Sequence, residues 1–311
     1  MEENCLQQLE GLPAGVKLFR GKVRDIVDLG DRLLITTTDR ISAFDRVLTT
    51  IPHKGEILNR ISCSWFSKVT DLVPTHILEE LSPRTVVVRK TRVLPLEVVV
   101  RGYLTGSAYR SYQEGKPVSG IHLPKGMRKN EPFPQPLITP STKEGVGIHD
   151  EPISEAEILE KKILSPSLWE QVKEKAFALF KRGTEIARKR GLILVDTKYE
   201  FGLSEEGTLY LVDELHTPDS SRFWYASSYE ESLAKGIDPR QLDKEYFRAW
   251  LLSRGFQGNG PAPPIPDEVR LAVSRRYIEA FEAIEGTIFR PLAENPEAET
   301  QIVLSYLEKI R

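Results

Sequence analysis

The segment LILVDTKYEFGLSEEGTLYLVDELHTPDSSRFW, residues 192–224, constrains this chain more than any other. Two short apolar runs flank a Ser-Glu-Glu-Gly turn, a pattern that predicts a β-hairpin. Side chains alternate along a strand, so Asp196, Lys198 and Glu200 share one face. The returning strand ends in Asp213 and Glu214, one of which falls beside that polar face. Carboxylates gathered at one end of a hairpin repel each other unless a cation lies among them. Hard oxygen ligands suit Mg²⁺, which arrives with nucleotide phosphates. A hairpin with one solvated face reads from the same alternation. The TPDSSR run at 217–222 favours a site, because it sets hydroxyls and a guanidinium directly after the acidic strand.

The rest of the composition narrows the class. A chain of 311 residues has room for two domains, and a formal charge of −2 gives no electrostatic case for nucleic acid as a partner. Cys5 and Cys63 have neither metal-ligand spacing nor the makings of a disulfide framework, which points to a reducing compartment and a cytoplasmic location. The opening MEENCLQQLEGLP lacks the apolar core of a signal peptide, and no apolar run approaches the roughly 20 residues a membrane span needs.

Along the chain, residues 16–38 read as a β-meander with a tight turn at Gly30-Asp31. Ile57, Ile61, Trp65 and Val69 recur every four residues, predicting a helix with one buried stripe over 55–70. The runs TVVVRK and LEVVVR predict two buried strands joined at Thr91–Pro95, and Gly106–Gly115 a short helix. Residues 117–152 hold seven prolines and read as a long functional loop. Ser167 and Glu170 have capping-box spacing for a helix to about Lys189, stopped by Gly191. Helices follow near 243–253, 267–285 and 297–310. Trp65, Trp169, Phe177, Phe180, Phe247 and Trp250 read as core, and the five scattered histidines as structural residues or substrate contacts. The expected class is α+β in two lobes, a β-rich lobe over 1–92 and an α+β lobe with C-terminal helices over 93–311.

Two further segments have anion-binding chemistry. Arg20-Gly21-Lys22-Val23-Arg24 sits at a strand-to-strand corner, where glycine admits close backbone approach and lysine supplies a point charge. It lacks the GxxxxGK[ST] of a Walker loop and reads either as a flap over phosphates or as an exposed basic turn. In RGYLTGSAY, helix N-terminal amides, Ser107 and Arg101 would hold a phosphate or carboxylate; an N-cap beside a surface arginine is the plainer reading. Asp219 likewise reads as an Asx-turn, with Arg222 a second guanidinium for an anion.

Six motifs in order, GKVRDI at 21–26, TDRISAFD at 38–45, RGYLTGSAY at 101–109, TPSTKEGVGIHDE at 139–151, DTKYEFG at 196–202 and VDELHTPDSSRFW at 212–224, resemble those of the SAICAR synthetase family. The resemblance runs from about residue 14 to 260, and the Pro-rich insert is similar to that of the longer form of the family. It implies a kinase-like antiparallel N-terminal lobe on an ATP-grasp-like α+β lobe. It implies an ATP- and Mg²⁺-dependent ligase joining L-aspartate to carboxyaminoimidazole ribonucleotide (CAIR) through an acyl phosphate, in purine biosynthesis. On that basis Glu200 and Asp213 ligate Mg²⁺, with Asp196 or Glu214 behind them. Gly21, Lys22, Arg24, Lys143 and Lys198 meet the polyphosphate, Lys22, Asp196 and Lys198 being the catalytic set. Lys90 to Val93 meets adenine and Glu97 the ribose. Arg101, Ser107 and Arg222 grip the CAIR phosphate, Asp219 orients nearby groups, and Lys143 and Asp150 close over the substrates. The aspartate site falls either at SAFD (42–45) or in the 141–150 loop. A monomer or homodimer is expected.

Two other readings use the same features. A small-molecule kinase would need a base beside a substrate hydroxyl, and neither an HRD-like loop nor DFG is present. A nucleotide-binding regulatory module would bind without turnover, against which stands the full polar set at 196–222.

Overall fold

The β-branched runs at the amino end pair as the alternation predicts. In the computed structural model, which describes residues 5–143, 151–242, 245–293 and 295–310, β1 (Lys17–Arg20), β2 (Arg24–Asp28) and β3 (Arg32–Thr37) form the meander. A small hairpin follows, β4 (Arg40–Ala43) with β5 (Arg46–Thr50), then α1 (Lys54–Ser67), β6 (Ile77–Glu80) and β7 (Thr85–Arg89). The first sheet runs β1-β2-β3-β7-β6, every neighbour antiparallel.

The second sheet begins with β8 (Arg92–Val93) and β9 (Leu96–Tyr103), followed by α2 (Gly106–Gln113), β10 (Pro132–Thr142), α3 (Glu155–Glu160) and α4 (Pro166–Lys189). Then come β11 (Leu192–Leu203), β12 (Leu209–Val212), β13 (Ser221–Tyr225) and the helices α5 (Ala226–Lys235), α6 (Glu245–Ser253), α7 (Asp267–Glu285) and α8 (Pro296–Lys309). Its order is β10-β9-β11-β12, and β11 is long enough to pair also with β8 and β13. The architecture is mixed α+β with antiparallel sheets.

Two local expectations are corrected. The proline-rich stretch is not all loop, because residues 132–142 form β10. It is an edge strand with a register shift between Pro132 and Leu137. An edge tolerates residues that cannot donate to a ladder. The cap of α4 is Ser165, whose Oγ accepts from Leu168 N at 3.2 Å, with Pro166 presetting φ at the first helical position. The capping box occurs instead at Ser154 and Glu157, opening α3.

Trp65, Trp169, Phe180, Phe201, Phe223, Phe247 and Phe281 belong to one large core shared by α1, α4, α6, α7 and the second sheet. Phe177, expected there, is instead 40% exposed. The C-terminal helix returns to the first sheet: Val303 and Leu307 pack with Leu9, Val27 and Leu34, and Glu299 accepts from the Thr85 hydroxyl at 2.5 Å.

Two histidines titrate with the fold. Burial lowers both His76 and His216 to about 3. Tyr199 Oη lies 2.7 Å from His216 Nε2, and the Trp65 ring sits edge-on at 4.5 Å. Both rings stay neutral in the fold while the unfolded chain takes up protons below about pH 6.5, so stability is full above that value and falls as pH drops toward 3. Each ring contributes at most about 1.4 kcal/mol per pH unit in that window. Urea midpoints taken from pH 7.5 to 5 should fall, and less steeply in a His76→Gln/His216→Gln double variant; equal slopes would contradict this.

Candidate active site

Strand β11 is the spine of the site because its register sets the partners of each polar residue. Asp196 lies opposite Arg101 of β9 on one side and opposite Arg222 of β13 on the other. Two residues on, Lys198 stands on the same face; after a further two comes Glu200, opposite Val212 of β12. Asp213 follows immediately. Asp196 and Glu200 are thus about 13 Å apart along the strand.

At the Glu200 end the charges interlock. Lys198 Nζ lies 3.0 Å from Glu97 Oε1, 2.5 Å from Glu200 Oε1 and 3.4 Å from Asp213 Oδ2. Arg24, the first residue of β2, pairs with Asp213 and reaches Glu214 Oε1 at 3.4 Å. Lys143, just beyond β10, pairs with Glu200. Burial would raise the Asp213 carboxyl, but Arg24, Lys198 and Lys143 hold it far below the usual carboxylate range. Burial raises its neighbour Glu214, helped by the Asp213 and Asp219 carboxylates and opposed by Arg24. Burial also works against the Lys198 charge, yet Asp213, Glu200 and Glu97 carry it well above an ordinary lysine. Asp213 itself has φ 70, a left-handed backbone that aspartate tolerates better than most residues and that turns its carboxylate out of the β12 line.

The Asp196 end is arginine-rich. Arg101 donates to Thr139 Oγ1 at 2.8 Å, Asp196 Oδ2 at 3.3 Å and Ser107 Oγ at 3.2 Å, while Arg222 donates to the same Asp196 oxygen at 3.3 Å. Burial lowers the Arg101 pKa, with Asp196 opposing and Arg222 adding to the shift. Gly106, at φ +58, lies under Arg222, and a Cβ there would come within 2.9 Å of Nη1. The guanidinium therefore reaches over the start of α2 only because this residue has no side chain. Beside it opens a polar recess of about 320 Å³ lined by Thr105, Gly106, Tyr109, Arg110, Lys129 and Arg222. Guanidinium forks, hydroxyls and the first turn of a helix suit a phosphate.

The remaining expected residues are placed as follows. Gly21 N donates to Arg24 O at 2.8 Å, closing the basic turn, and Lys22 pairs with Asp45. Lys90 turns to Asp28 at 2.8 Å, and Val93, 43% exposed, pairs with Gly202 near the far end of β11. Glu97 meets Lys198. Asp219 is bound through one oxygen to Tyr277 Oη at 2.6 Å and through the other to Lys54 Nζ at 2.9 Å, so it anchors the turn ahead of Arg222. Asp150 lies outside the described residues. The reading of the sequence missed Thr139, Lys54 and Tyr277. Thr139 stood within a quoted motif, whereas Lys54 and Tyr277 gave no local signal.

Among the described residues no group of three or more His, Cys, Asp or Glu side chains forms a ready-made metal cage. The donor set nonetheless fits Mg²⁺. Lys198 Nζ touches both Glu200 and Asp213, so the two carboxylates converge on a single point of positive charge. Mg²⁺ commonly takes one or two protein carboxylates and completes its shell with water and phosphate.

A carboxylate–cation ladder along β11, flanked at one end by an arginine pair from β9 and β13, has the chemistry of a site for anionic small molecules. The comparisons with known proteins give the family. The SAICAR synthetase family model matches residues 17–263. A Mesorhizobium japonicum protein named putative phosphoribosylaminoimidazole-succinocarboxamide synthase 2 is 48% identical over 279 residues, covering 88% of this chain and 89% of its own. A Bacteroides thetaiotaomicron phosphoribosylaminoimidazole-succinocarboxamide synthase is 47% identical over 282 residues, covering 89% and 90%. The SAICAR synthase of Saccharomyces cerevisiae, solved in complex with SAICAR, superposes with TM-score 0.81 at 34% identity over 92% of this chain and 100% of that one. A type-2 SAICAR synthetase solved with ADP gives TM-score 0.68 at 25% identity, covering 88% and 100%. The chain belongs to the SAICAR synthetase family, and is a ligase of purine biosynthesis. No helix among the described residues is long and apolar enough to cross a membrane.

Proposed function

We propose that this chain condenses CAIR with L-aspartate at the expense of ATP, through an acyl phosphate, giving SAICAR, ADP and phosphate. The observation that carries the reading is the β11 register, which sets the paired arginines and the carboxylate–lysine cluster on one face about 13 Å apart. A ribonucleotide with a phosphate at one end and a carboxylate at the other spans such a distance. Relatives solved with ADP and with SAICAR support the two ligand classes.

In this account the first sheet acts as a kinase-like cover over nucleotide, and the second as an ATP-grasp-like floor. The backbone from Lys90 to Val93 meets adenine, and Glu97 the ribose. Arg101, Ser107 and Arg222 hold the CAIR phosphate, and Asp219 keeps the turn before Arg222 in place. Glu200 and Asp213 would hold Mg²⁺, which when bound neutralises charge on the phosphates. Lys22, Arg24, Lys143 and Lys198 surround the polyphosphate. A carboxylate resists attack by an amine because its leaving group would be oxide. Its oxygen takes the γ-phosphoryl group from ATP, releasing ADP. The aspartate amine then attacks the acyl carbon, phosphate leaves with one former carboxylate oxygen, and the amine proton passes to solvent. Lys198 and Asp196, fixed by ion pairs on both sides, need only position and neutralise, which is where most of the rate gain in phosphoryl transfer lies.

The test is to supply ATP and CAIR with and without aspartate. Amide product and stoichiometric ADP should appear only in the complete mixture. A stable phosphorylated compound that accumulates without aspartate, and is unchanged by adding it, would mark a kinase instead.

A further inference from the structure

The motif TDRISAFD lies outside the clusters described above, yet its side chains converge on the basic turn. Arg40 is buried, and its guanidinium is spent almost wholly on backbone. Nε donates to Lys22 O at 3.2 Å, and Nη2 to Gly21 O at 2.9 Å and Arg24 O at 3.1 Å. Nη2 also meets the fully buried Asp25 at 2.9 Å, and Nη1 donates to Gln7 O. Thr38 Oγ1 donates to Val23 O at 2.8 Å, and Asp45 pairs with Lys22. Every residue from Gly21 to Asp25 is therefore held by this one motif.

A second set of bonds supports it from behind. Leu9 N donates to Asp25 Oδ2 and Leu6 N to Asp39 Oδ2, both at 2.8 Å, while Asp39 Oδ1 also takes Gly55 N and Arg84. Residues 6–9 thus run as a strut along the back of the turn. A basic flap has to hold its cations at fixed positions before phosphate arrives, since ordering it on binding would cost affinity. Three carbonyls of the turn gathered on one guanidinium are a rigid way to do so, and a lysine, with a compact ammonium, cannot reach all three.

We infer that Arg40 is a positioning residue that pre-shapes the 21–24 turn for the ATP polyphosphate, with residues 6–9 as its brace. This rests on the proposed role of that turn in nucleotide binding. The experiment measures KM for ATP, CAIR and aspartate, with kcat and thermal midpoint, in Arg40→Lys, Thr38→Val and Lys22→Ala. Arg40→Lys should raise KM for ATP about tenfold or more, with KM for CAIR and aspartate within about twofold. A lowered thermal midpoint with all three KM values unchanged would overturn the inference, as would equal rises in all three. If Arg40→Lys does not fold, Thr38→Val decides: a rise of about threefold in KM for ATP alone supports it and no change overturns it. Lys22→Ala separates the two levels. If it leaves KM for ATP unchanged, the nucleotide role of the turn fails and the inference with it. If it raises that KM while Arg40→Lys does not, only the inference fails.

Discussion

Asp213→Asn should lower kcat by about 10²–10³-fold while the chain still folds. The amide keeps the shape of the carboxylate but withdraws the charge that faces Arg24 and Lys198. The native carboxyl is held far below its ordinary range despite its burial, so it is ionised throughout the working pH range. Its contribution to stability is present above the usual carboxylate pKa and is lost only as pH falls toward the lowered one. In the variant, Arg24 retains Glu214 as a partner, which limits the cost to the fold. A thermal midpoint lowered by several degrees beside a much larger loss of turnover would match this account. Activity within about threefold of the parent at limiting Mg²⁺ would remove Asp213 from the metal site.

Arg101→Lys should raise KM for CAIR by about 10- to 100-fold and leave KM for ATP nearly unchanged. Arg101 holds Asp196, Ser107 and Thr139 through separate nitrogens, a fork that an ammonium cannot reproduce. Arg222 shares only the Asp196 oxygen, so Arg222→Lys should have the same sign and a smaller effect. Equal loss of affinity for both substrates would place Arg101 outside the CAIR site. Isothermal titration with each substrate separately distinguishes the cases.

What could be seen in the sequence was what depends on near neighbours. Period-two alternation is a property of a few consecutive residues, so Asp196, Lys198 and Glu200 fell on one face as predicted. The helices α1 and α7 were visible from their spacing for the same reason. The flanking of Asp196 by Arg101 and Arg222 was not, because it requires β9 and β13 to pair on opposite edges of β11. That arrangement depends on sheet order, which no local pattern encodes. The proline count hid β10, since prolines argue against a central strand but not an edge one. Tyr277 reaches Asp219 from α7, a helix beyond the span of the family match. Arg40 lay in a motif whose residues suggest ligand contact, whereas the structure turns its guanidinium inward onto carbonyls.

The proposed activation of a substrate carboxylate by phosphoryl transfer on the β11 face would leave its mark on the released phosphate. CAIR labelled with oxygen-18 in its carboxylate, turned over with ATP and aspartate, tests it directly by mass spectrometry of the released phosphate. One labelled oxygen per phosphate is the predicted result. Phosphate free of label, with the displaced labelled oxygen found in water and the other in the amide, would contradict it.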